Sequence, residues 1–253
     1  MNEITVYHWL VIAWMALAAV TFVALLFVTA PYGRFTRSGW GPRISARWGW
    51  ILMETPVLAT FLVLYGLSDR KSNPASLVLL AFWAAHYVHR SLVYPFRLRS
   101  SRPTITVAVV AMGAAFNVGN GYLNGRYLFS LGPELPASWL LDPRFVAGAL
   151  LFWGGYLLNQ HSDHVLIGLR SGGETGYKIP YGGGYRFVSC PNYLGEMMEW
   201  GGWALACWNL GALAFLVWTV ANLAPRALKT HRWYRDTFPD YPRERKALLP
   251  FIV

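Results

Sequence analysis

The feature of this chain that most constrains its fold is a succession of apolar runs, several of which approach 20 residues. A helical run of about 20 residues spans the hydrocarbon core of a bilayer. The composition agrees, because 55% of the residues are hydrophobic and 13% are charged, against roughly 25% charged in an average soluble domain. The sequence therefore predicts an all-α, polytopic membrane protein with a single domain over residues 1–253.

Seven transmembrane helices are predicted from the apolar runs and their breaks. A long run at 194–223 contains the turn signal Trp208-Asn209-Leu210-Gly211 and is interpreted as a hairpin of two short spans. The five other predicted helices cover residues 4–30, 48–67, 75–96, 104–129 and 145–169. The first is too long for the apolar part of a cleavable signal peptide and has no basic start, so we expect it to be retained.

Basic residues predict the orientation of these helices. With the N-terminus outside, the inner segments 31–47, 97–103, 170–192 and the residues after 225 carry 17 Lys and Arg, against four in the outer segments. Cytoplasmic loops are enriched in Lys and Arg, so the N-terminus is expected outside and the C-terminus in the cytosol. The same rule favours the hairpin, because a single helix over 194–223 would carry the basic tail to the outer side.

The composition also excludes some classes of function. The basic residues lie at helix ends and not along one stripe, so the net charge of +10 follows from the topology and no nucleic-acid partner is expected. The two cysteines, Cys190 and Cys207, provide neither a disulfide framework nor a zinc site. His86 and His89 lack a third ligand, so we expect no metal.

Polar side chains within the apolar helices mark a candidate site, because an ionisable residue inside a membrane span is costly and usually functional. At 1.5 Å per residue, Glu54 lies about 10 Å and Tyr87 about 15 Å from the inner edge. Arg90 is one turn from Tyr87 and shares its face. A tyrosine paired with a carboxylate can hold a carbonyl oxygen and protonate an enolate. The alternative is that Glu54 and Tyr87 fill structural positions in the core.

Two later segments carry polar residues at helical spacing, so that each forms a stripe on one helix face. The two stripes consist of Asn159, Asp163 and Arg170 and of Asn192, Glu196 and Glu199. Such stripes are costly in lipid unless they border a polar space. Together with Glu54 and Tyr87 they predict a cavity that opens to the cytosol.

Basic and aromatic residues surround the inner face of the predicted bundle. Arginine suits bidentate phosphate contacts, so a polyphosphate site is one interpretation and the topology rule is the other. His231 and Tyr234 lie in a segment that fits either an adenine sandwich or an interfacial helix. The basic residues are Arg170, Lys178, Arg186, Arg226, Lys229, Arg232 and Arg235. The residues alone are compatible with a reductase, a methyltransferase or a transporter.

The C-terminal half of the chain closely resembles the steroid 5α-reductase family. The match is nearly continuous over residues 159–253, and the N-terminal half matches more thinly. The C-terminal matches are Asn159, His161-Ser162-Asp163, Leu169-Arg170, Gly176-Tyr177-Lys178-Ile179-Pro180, Gly182-Gly183, Phe187-Val188-Ser189, Asn192-Tyr193-Leu194-Gly195-Glu196, Glu199-Trp200, Arg245-Lys246-Ala247-Leu248 and Pro250-Phe251. The N-terminal matches are Trp50, Glu54, His86-Tyr87-Val88-His89-Arg90, Tyr94, Arg102-Pro103 and Gly119-Asn120-Gly121.

This resemblance implies a seven-helix membrane reductase that uses NADPH and converts 3-oxo-Δ4 steroids to 5α-3-oxo steroids. Hydride would reach the β-carbon while the catalytic residues Glu54 and Tyr87 bind the ketone oxygen, with Trp50 and Met53 also contacting the substrate. Residues 1–130, with helices one to four, would form the substrate side, and residues 145–253 the cofactor-binding module. The implied cofactor-binding residues are Arg90, Arg99, Arg102, Asn120, Asn159, Asp163, Arg170, Tyr177, Lys178, Asn192, Glu196, Arg226, His231 and Tyr234.

One departure from the family leaves the substrate open. The steroid-reducing members compared carry Gln where this chain has Met53, so reduction of another lipid enone or enoyl substrate is the first alternative. A methyltransferase of the isoprenylcysteine type is less favoured, since it needs neither the Tyr87–Glu54 pair nor a site for a 2′-phosphate. A transporter is disfavoured because no repeated halves with broken helices are visible.

The expected partners and location follow from the same interpretation. The partners are a steroid or other lipid enone and the membrane lipids, and the protein is expected to be a monomer. It is expected to be an integral, multi-pass protein of the bacterial inner membrane or of the endoplasmic reticulum, with its active site open to the cytosolic side.

Overall fold

The computed structural model describes residues 2–37, 39–98, 104–169 and 176–252. Helices dominate the described ranges. Their bounds are α1 Glu3–Phe27, α2 Ala46–Gly66, α3 Pro74–Val88, α4 Tyr94–Arg97, α5 Val107–Arg126, α6 Pro143–Gly168, α7 Pro191–Cys207 and α8 Leu210–Thr237. A π-helical segment, His89–Val93, joins α3 to α4, and a second one, Tyr127–Leu131, extends α5. Three short 3₁₀ helices are Gly33–Phe35, Ala137–Leu141 and Gly183–Arg186.

The helix content agrees with the predicted all-α membrane protein. Among the residues that the structure describes, three helices, α1, α2 and α8, are long and apolar enough to cross a bilayer. On α1 most side chains are apolar and exposed, as Val20 is at 65%, which suits a helix surrounded by lipid. The other predicted spans are also helical, although the count of seven crossings and the orientation of the termini stay predictions.

The predicted hairpin turn lies where the sequence placed it. Trp208 adopts the left-handed conformation (φ 47°) and ends α7. The side chain of Asn209 then accepts a hydrogen bond from the Ala212 amide and caps α8, a role for which Asn is well suited. The predicted length of the second arm was wrong, because α8 continues beyond 223 to Thr237 despite Pro225.

A small antiparallel sheet was not predicted. Residues 104–106, expected to begin a helix, form the strand β2 (Thr104–Thr106), which pairs with β1 (Arg43–Ser45) with Ile44 opposite Ile105. The Arg43 guanidinium also donates to the Thr104 hydroxyl and carbonyl at 2.8 and 3.0 Å. Threonine and isoleucine favour strands, and the long-range pairing decides the outcome here.

Glycines bring α5 against α2 along the whole length of the pair, which we call the α2–α5 seam. A Cβ atom on Gly49 would lie 2.2 Å from Ile105, one on Gly113 2.4 Å from Met53, and one on Gly121 2.9 Å from the Val57 carbonyl. Real Cβ atoms do not approach so closely, so a larger residue would displace the side chain of Ile105 or Met53 at the first two positions and press on the α2 backbone at Gly121. The strands β1 and β2 continue the seam beyond the helices.

A second glycine-mediated contact joins α6 to α7. A Cβ atom on Gly155 would lie 2.4 Å from the Glu199 amide nitrogen, and one on Gly195 2.5 Å from the Asn159 amide nitrogen. Gly148 and Gly202 make equivalent backbone contacts one to two turns away. Small residues allow helices to pack backbone to backbone in a membrane, and here they place the two polar stripes side by side.

Aromatic side chains fill the centre of the bundle. Phe61 of α2 stacks on Trp83 of α3 with 4.4 Å between ring centroids, and Trp200 of α7 lies 4.2 Å from Phe215 of α8. The buried indole of Trp203 donates to Asn124 Oδ1 at 2.8 Å. Tyr87 belongs to this core, so the core adjoins the residues predicted to form the site.

Ser189 ties the loop before α7 to the segment after α8. Its hydroxyl lies 2.6 Å from both His231 Nδ1 and the Tyr241 hydroxyl, and its amide donates to the Lys246 carbonyl at 2.8 Å. The next residue, Cys190, is buried, and burial raises the pKa of its thiol to about 12. Cys190 is therefore a protonated, structural residue and not a nucleophile.

Replacing Ser189 with alanine is expected to lower the free energy of unfolding by about 1–3 kcal/mol, because buried partners lose their hydrogen bond. The unfolding midpoint of the detergent-purified protein would fall by about 2–4 °C per kcal/mol for a chain of this size. Ser45→Ala is a suitable control, since Ser45 is exposed and makes no capping bond. Equal midpoints for both variants would contradict this role of Ser189.

Candidate active site

Glu54 and Tyr87 lie on neighbouring helices, α2 and α3, and interact electrostatically. Tyr87 is buried and its hydroxyl lies beside the side chain of Asn120 on α5. The Glu54 carboxyl accepts a hydrogen bond from Asn117 Nδ2 at 3.2 Å. The structure thus brings together the two residues that the sequence predicted to act as a pair.

Asn120 has an unused donor. Its Oδ1 and its carbonyl accept from Asn124 Nδ2 at 3.0 Å, whereas its own Nδ2 is buried and lacks a hydrogen-bond partner within the described ranges. A buried donor without a partner costs free energy. The amide is therefore placed to bind a polar atom of a ligand beside Tyr87.

A buried pair, His86 and Glu199, lies next to Tyr87. His86 Nδ1 lies 2.8 Å from Glu199 Oε1, and Glu199 is fully buried. The His86 imidazole also meets the Tyr87 ring edge to face, with 4.7 Å between centroids. This contact joins α3 to α7 and limits the positions that Tyr87 can adopt.

Arg90 contacts both groups of residues, those predicted to bind the substrate and those predicted to bind the cofactor. Its guanidinium lies 3.5 Å from Asp163 Oδ2 and 4.7 Å from the ring centres of both Trp50 and Tyr94. Electrostatic interactions link it to Glu196 as well. The residue sits in the π-helical segment between α3 and α4, an irregularity that often marks functional sites.

The two polar stripes meet as predicted from their spacing. Asn159 Nδ2 donates to the Asn192 carbonyl at 3.0 Å, and Asn192 Nδ2 donates to Asp163 Oδ1 at 3.2 Å. The close packing of α6 on α7 makes both bonds possible. Arg170, the third member of the first stripe, lies outside the described residues, as do Arg99 and Arg102.

A cavity of about 140 Å³ lies at the ends of these helices that the basic residues predict to be cytosolic. Asp163, Tyr94, Tyr177, Lys178 and Tyr234 all contribute to its wall. Its remaining lining residues are Arg34, Leu98, Leu166, Ile167, Leu169 and Gly176. The predicted cofactor residues Tyr177, Lys178 and Tyr234 are thus brought next to Asp163.

Arg34 is the cavity residue that the sequence analysis missed. Its guanidinium lies 4.6 to 5.1 Å from the ring centres of Tyr177, Trp233 and Tyr234, and it donates to the Tyr234 hydroxyl at 3.3 Å. Its buried Nη1 has no hydrogen-bond partner in the part of the chain that the structure describes. Arg34 therefore has a donor to spare for an anion.

Arg226 and His231 occupy different surroundings. Arg226 donates to the Tyr193 hydroxyl at 3.0 Å and stacks over the Tyr32 ring, while its buried Nη1 finds no partner among the described residues. His231 instead bonds to Ser189 and lies outside the set of residues that line the cavity. Of these two predicted cofactor residues, Arg226 has the spare donor.

Comparison with known proteins decides the family. The family model described as 3-oxo-5-alpha-steroid 4-dehydrogenase matches residues 103–253. The steroid 5-alpha-reductase DET2 of Gossypium hirsutum is 42% identical over 255 residues, which cover 99% of this chain and 99% of that protein. The 3-oxo-5-alpha-steroid 4-dehydrogenase 1 of Bos taurus is 43% identical over 242 residues, which cover 94% of this chain and 93% of that protein. The chain belongs to the steroid 5α-reductase family.

Membership of the steroid 5α-reductase family confirms the resemblance and the class of enzyme predicted from the sequence. The chain is an oxidoreductase that acts on a carbon–carbon double bond. This result sets aside the methyltransferase and the transporter.

Within this steroid 5α-reductase fold, three features escaped the sequence analysis: Arg34, the Asn117–Glu54 bond and the His86–Glu199 pair. Asn117 is a polar residue in an apolar helix, so the same rule that selected Glu54 could have selected it. Glu199 was already named in the second polar stripe, but its pairing with His86 was not predicted. Arg34 gave no comparable signal, because it is one of several arginines in a basic loop.

Proposed function

We propose that this chain uses NADPH to reduce the Δ4 double bond of 3-oxo-Δ4 steroids to 5α-3-oxo steroids. The observation that carries the proposal is the group formed by Tyr87, Glu54 and Asn120. It offers a hydroxyl, a carboxyl and an amide donor with no partner in the described ranges. Relatives that match almost the whole chain are named for this steroid chemistry.

The Tyr87–Glu54 pair would bind the ketone oxygen. When bound, NADPH supplies a hydride to the β-carbon of the enone. The Tyr87 hydroxyl and a protonated Glu54 carboxyl would each donate a hydrogen bond to the negative charge on the ketone oxygen, and a proton taken up at the α-carbon would complete the reduction. A donor fixed in advance in a water-poor site stabilises such a charge by about 3–4 kcal/mol. Trp50 and Met53, which precede Glu54 on α2, would contact the steroid.

The residues of the inner end fit a dinucleotide that carries phosphates. Arg34 and Arg226 both have a buried donor without a partner among the described residues, and arginine suits phosphate. The adenosine end would be surrounded by Tyr177, Lys178 and Tyr234. The Arg34 guanidinium would leave the rings of Tyr177 and Tyr234 and pair with phosphate. Asn120 and the stripe residues Asn159, Asp163, Asn192, Glu196 and Arg90 would hold the nicotinamide half. We extend the proposal to Arg99, Arg102, Arg170 and His231 on the basis of the family resemblance alone.

The membrane arrangement belongs to the same proposal. Helices α1 to α5 would form the substrate side, and residues 145–253 the cofactor module. The site would open to the cytosol of a monomeric, seven-span protein surrounded by lipid, with the C-terminus on the same side. The 17 basic residues of the predicted inner segments support this orientation.

The direct test uses detergent-purified protein, NADPH and a 3-oxo-Δ4 steroid. We expect loss of the reduced-nicotinamide absorbance and a 5α product with two added hydrogens, and no turnover of a steroid that is already saturated at that bond. NADPH binding without turnover of several 3-oxo-Δ4 steroids would overturn the steroid assignment and favour another lipid enone, the alternative that Met53 keeps open. Absence of NADPH binding would overturn the cofactor assignment.

A further inference from the structure

Asn117 on α5 makes two hydrogen bonds to α2. Its Nδ2 donates to the Met53 carbonyl at 2.7 Å and to Glu54 Oε2 at 3.2 Å. The side chain is buried, with 6% exposure. In the described part of the chain, Asn117 is the one side chain that donates a hydrogen bond to the Glu54 carboxyl.

The α2–α5 seam is built so that a short side chain at 117 reaches the carboxyl. Gly113 lies one turn before Asn117 and Gly121 one turn after it, on the same helix face. Both glycines are in backbone or side-chain contact with α2, opposite Met53 and Val57. The bond to the Met53 carbonyl fixes the Asn117 amide, so the second N–H has a fixed direction towards Glu54.

This geometry has a consequence for the proton of Glu54. An amide N–H only donates, so the oxygen that faces it, Oε2, must act as an acceptor. The carbonyl oxygen of a carboxylic acid is a better acceptor than its hydroxyl oxygen, so a proton on Glu54 is favoured on Oε1, the oxygen that Asn117 leaves free. The Met53 side chain packs against Gly113. It carries no hydrogen-bond donor, so it cannot replace the bond from Asn117 to Glu54.

We propose that Asn117 is a positioning residue that turns the proton-bearing oxygen of Glu54 towards the ketone of the substrate. The inference rests on the proposed role of Glu54 in binding that ketone. In this inference Asn117 acts through Glu54 and not on the substrate or the cofactor directly. Without its bond the carboxyl rotates freely, and misplacement of a catalytic group by about 1 Å costs up to about 100-fold in rate.

The test compares Asn117→Leu, which keeps the branched shape and removes both bonds, with Asn117→Asp, which turns the donor into an acceptor. We expect kcat to fall by about 10- to 100-fold in Asn117→Leu. A larger fall is expected in Asn117→Asp, because the new carboxylate accepts the Glu54 proton. The Kd for NADPH should stay unchanged in both. Val118→Ala, an exposed neighbour on the same helix, should behave as wild type.

A double-mutant cycle separates positioning from a general loss of packing. In the Glu54→Gln background, Asn117→Leu should cause little further loss of kcat, because the group it positions is already gone. Multiplicative losses would overturn the inference, and so would wild-type turnover in Asn117→Asp when Glu54→Gln is impaired. Normal turnover in Glu54→Gln itself would instead refute the proposed role of Glu54. Thermal unfolding and NADPH binding identify any variant that fails to fold, and the cycle is then read from Asn117→Asp.

Discussion

Tyr87→Phe is expected to lower kcat for enone reduction by about 10²–10³-fold, the usual cost of removing one donor from an oxyanion site. The change removes only the hydroxyl, and the buried ring keeps its contacts with His86, Trp83 and Trp200. The negative charge on the ketone oxygen then loses a donor that no water can replace. Steady-state rates with NADPH and a 3-oxo-Δ4 steroid measure the effect.

The binding of NADPH separates this prediction from misfolding. Its Kd should be unchanged in Tyr87→Phe, because the residues proposed to hold the phosphates are at the inner end of the bundle. Tyr65→Phe is the matched control: the same hydroxyl is lost, but there it donates to the Lys71 carbonyl at the far end of α2. A kcat equal to that of wild type in Tyr87→Phe would remove Tyr87 from the proposed mechanism.

Gly155→Ala is expected to cause the largest loss of stability of any single added methyl group on α6. The new Cβ would lie 2.4 Å from the Glu199 nitrogen and 2.5 Å from the Gly195 carbonyl oxygen. Backbone atoms cannot turn aside as a side chain does, so α6 and α7 must separate. Overpacking of this kind costs about 3 kcal/mol at the upper end of its usual range, or roughly 6–12 °C in the unfolding midpoint.

Gly154→Ala provides the control within the same helix. An added Cβ at Gly154 meets nothing within 4 Å, and replacing a helical glycine by alanine stabilises a helix by about 0.5–1 kcal/mol. The two neighbouring substitutions should therefore have opposite signs in thermal unfolding of the purified protein. Separation of α6 from α7 should also weaken NADPH binding, since it pulls Asn159 from Asn192. Similar midpoints for both variants would contradict the backbone contact.

Patterns that extend along one helix were predictable from the sequence. The apolar runs located the helices, and the spacing of Asn159 and Asp163 placed them on one face opposite Asn192. The similar depths of Glu54 and Tyr87 indicated a shared cavity but left a core role for both residues open, and the family resemblance favoured the pair. These inferences depend on helical geometry, which a sequence carries directly.

Contacts between distant segments were beyond the same reasoning. Arg34 donates a hydrogen bond to Tyr234, which is 200 residues later in the chain. The sequence of a basic loop does not indicate which of its arginines contacts a distant segment. The strands β1 and β2 pair only because α2 and α5 bring their ends together. Likewise, the length of α8 depends on what packs against it beyond residue 223, so its continuation past Pro225 could not be read from hydropathy.

The α2–α5 seam bears on how a hydrophobic molecule leaves the bilayer. Its glycines place the two helices in direct contact from Gly49 to Gly125, and the β1–β2 pair closes the end where the chain enters both helices. A lipid-dissolved substrate would have to break the strand pairing and separate close-packed backbones to pass there. The seam is therefore a closed contact, and an apolar molecule that passed from a bilayer into the bundle would have to enter between other helices.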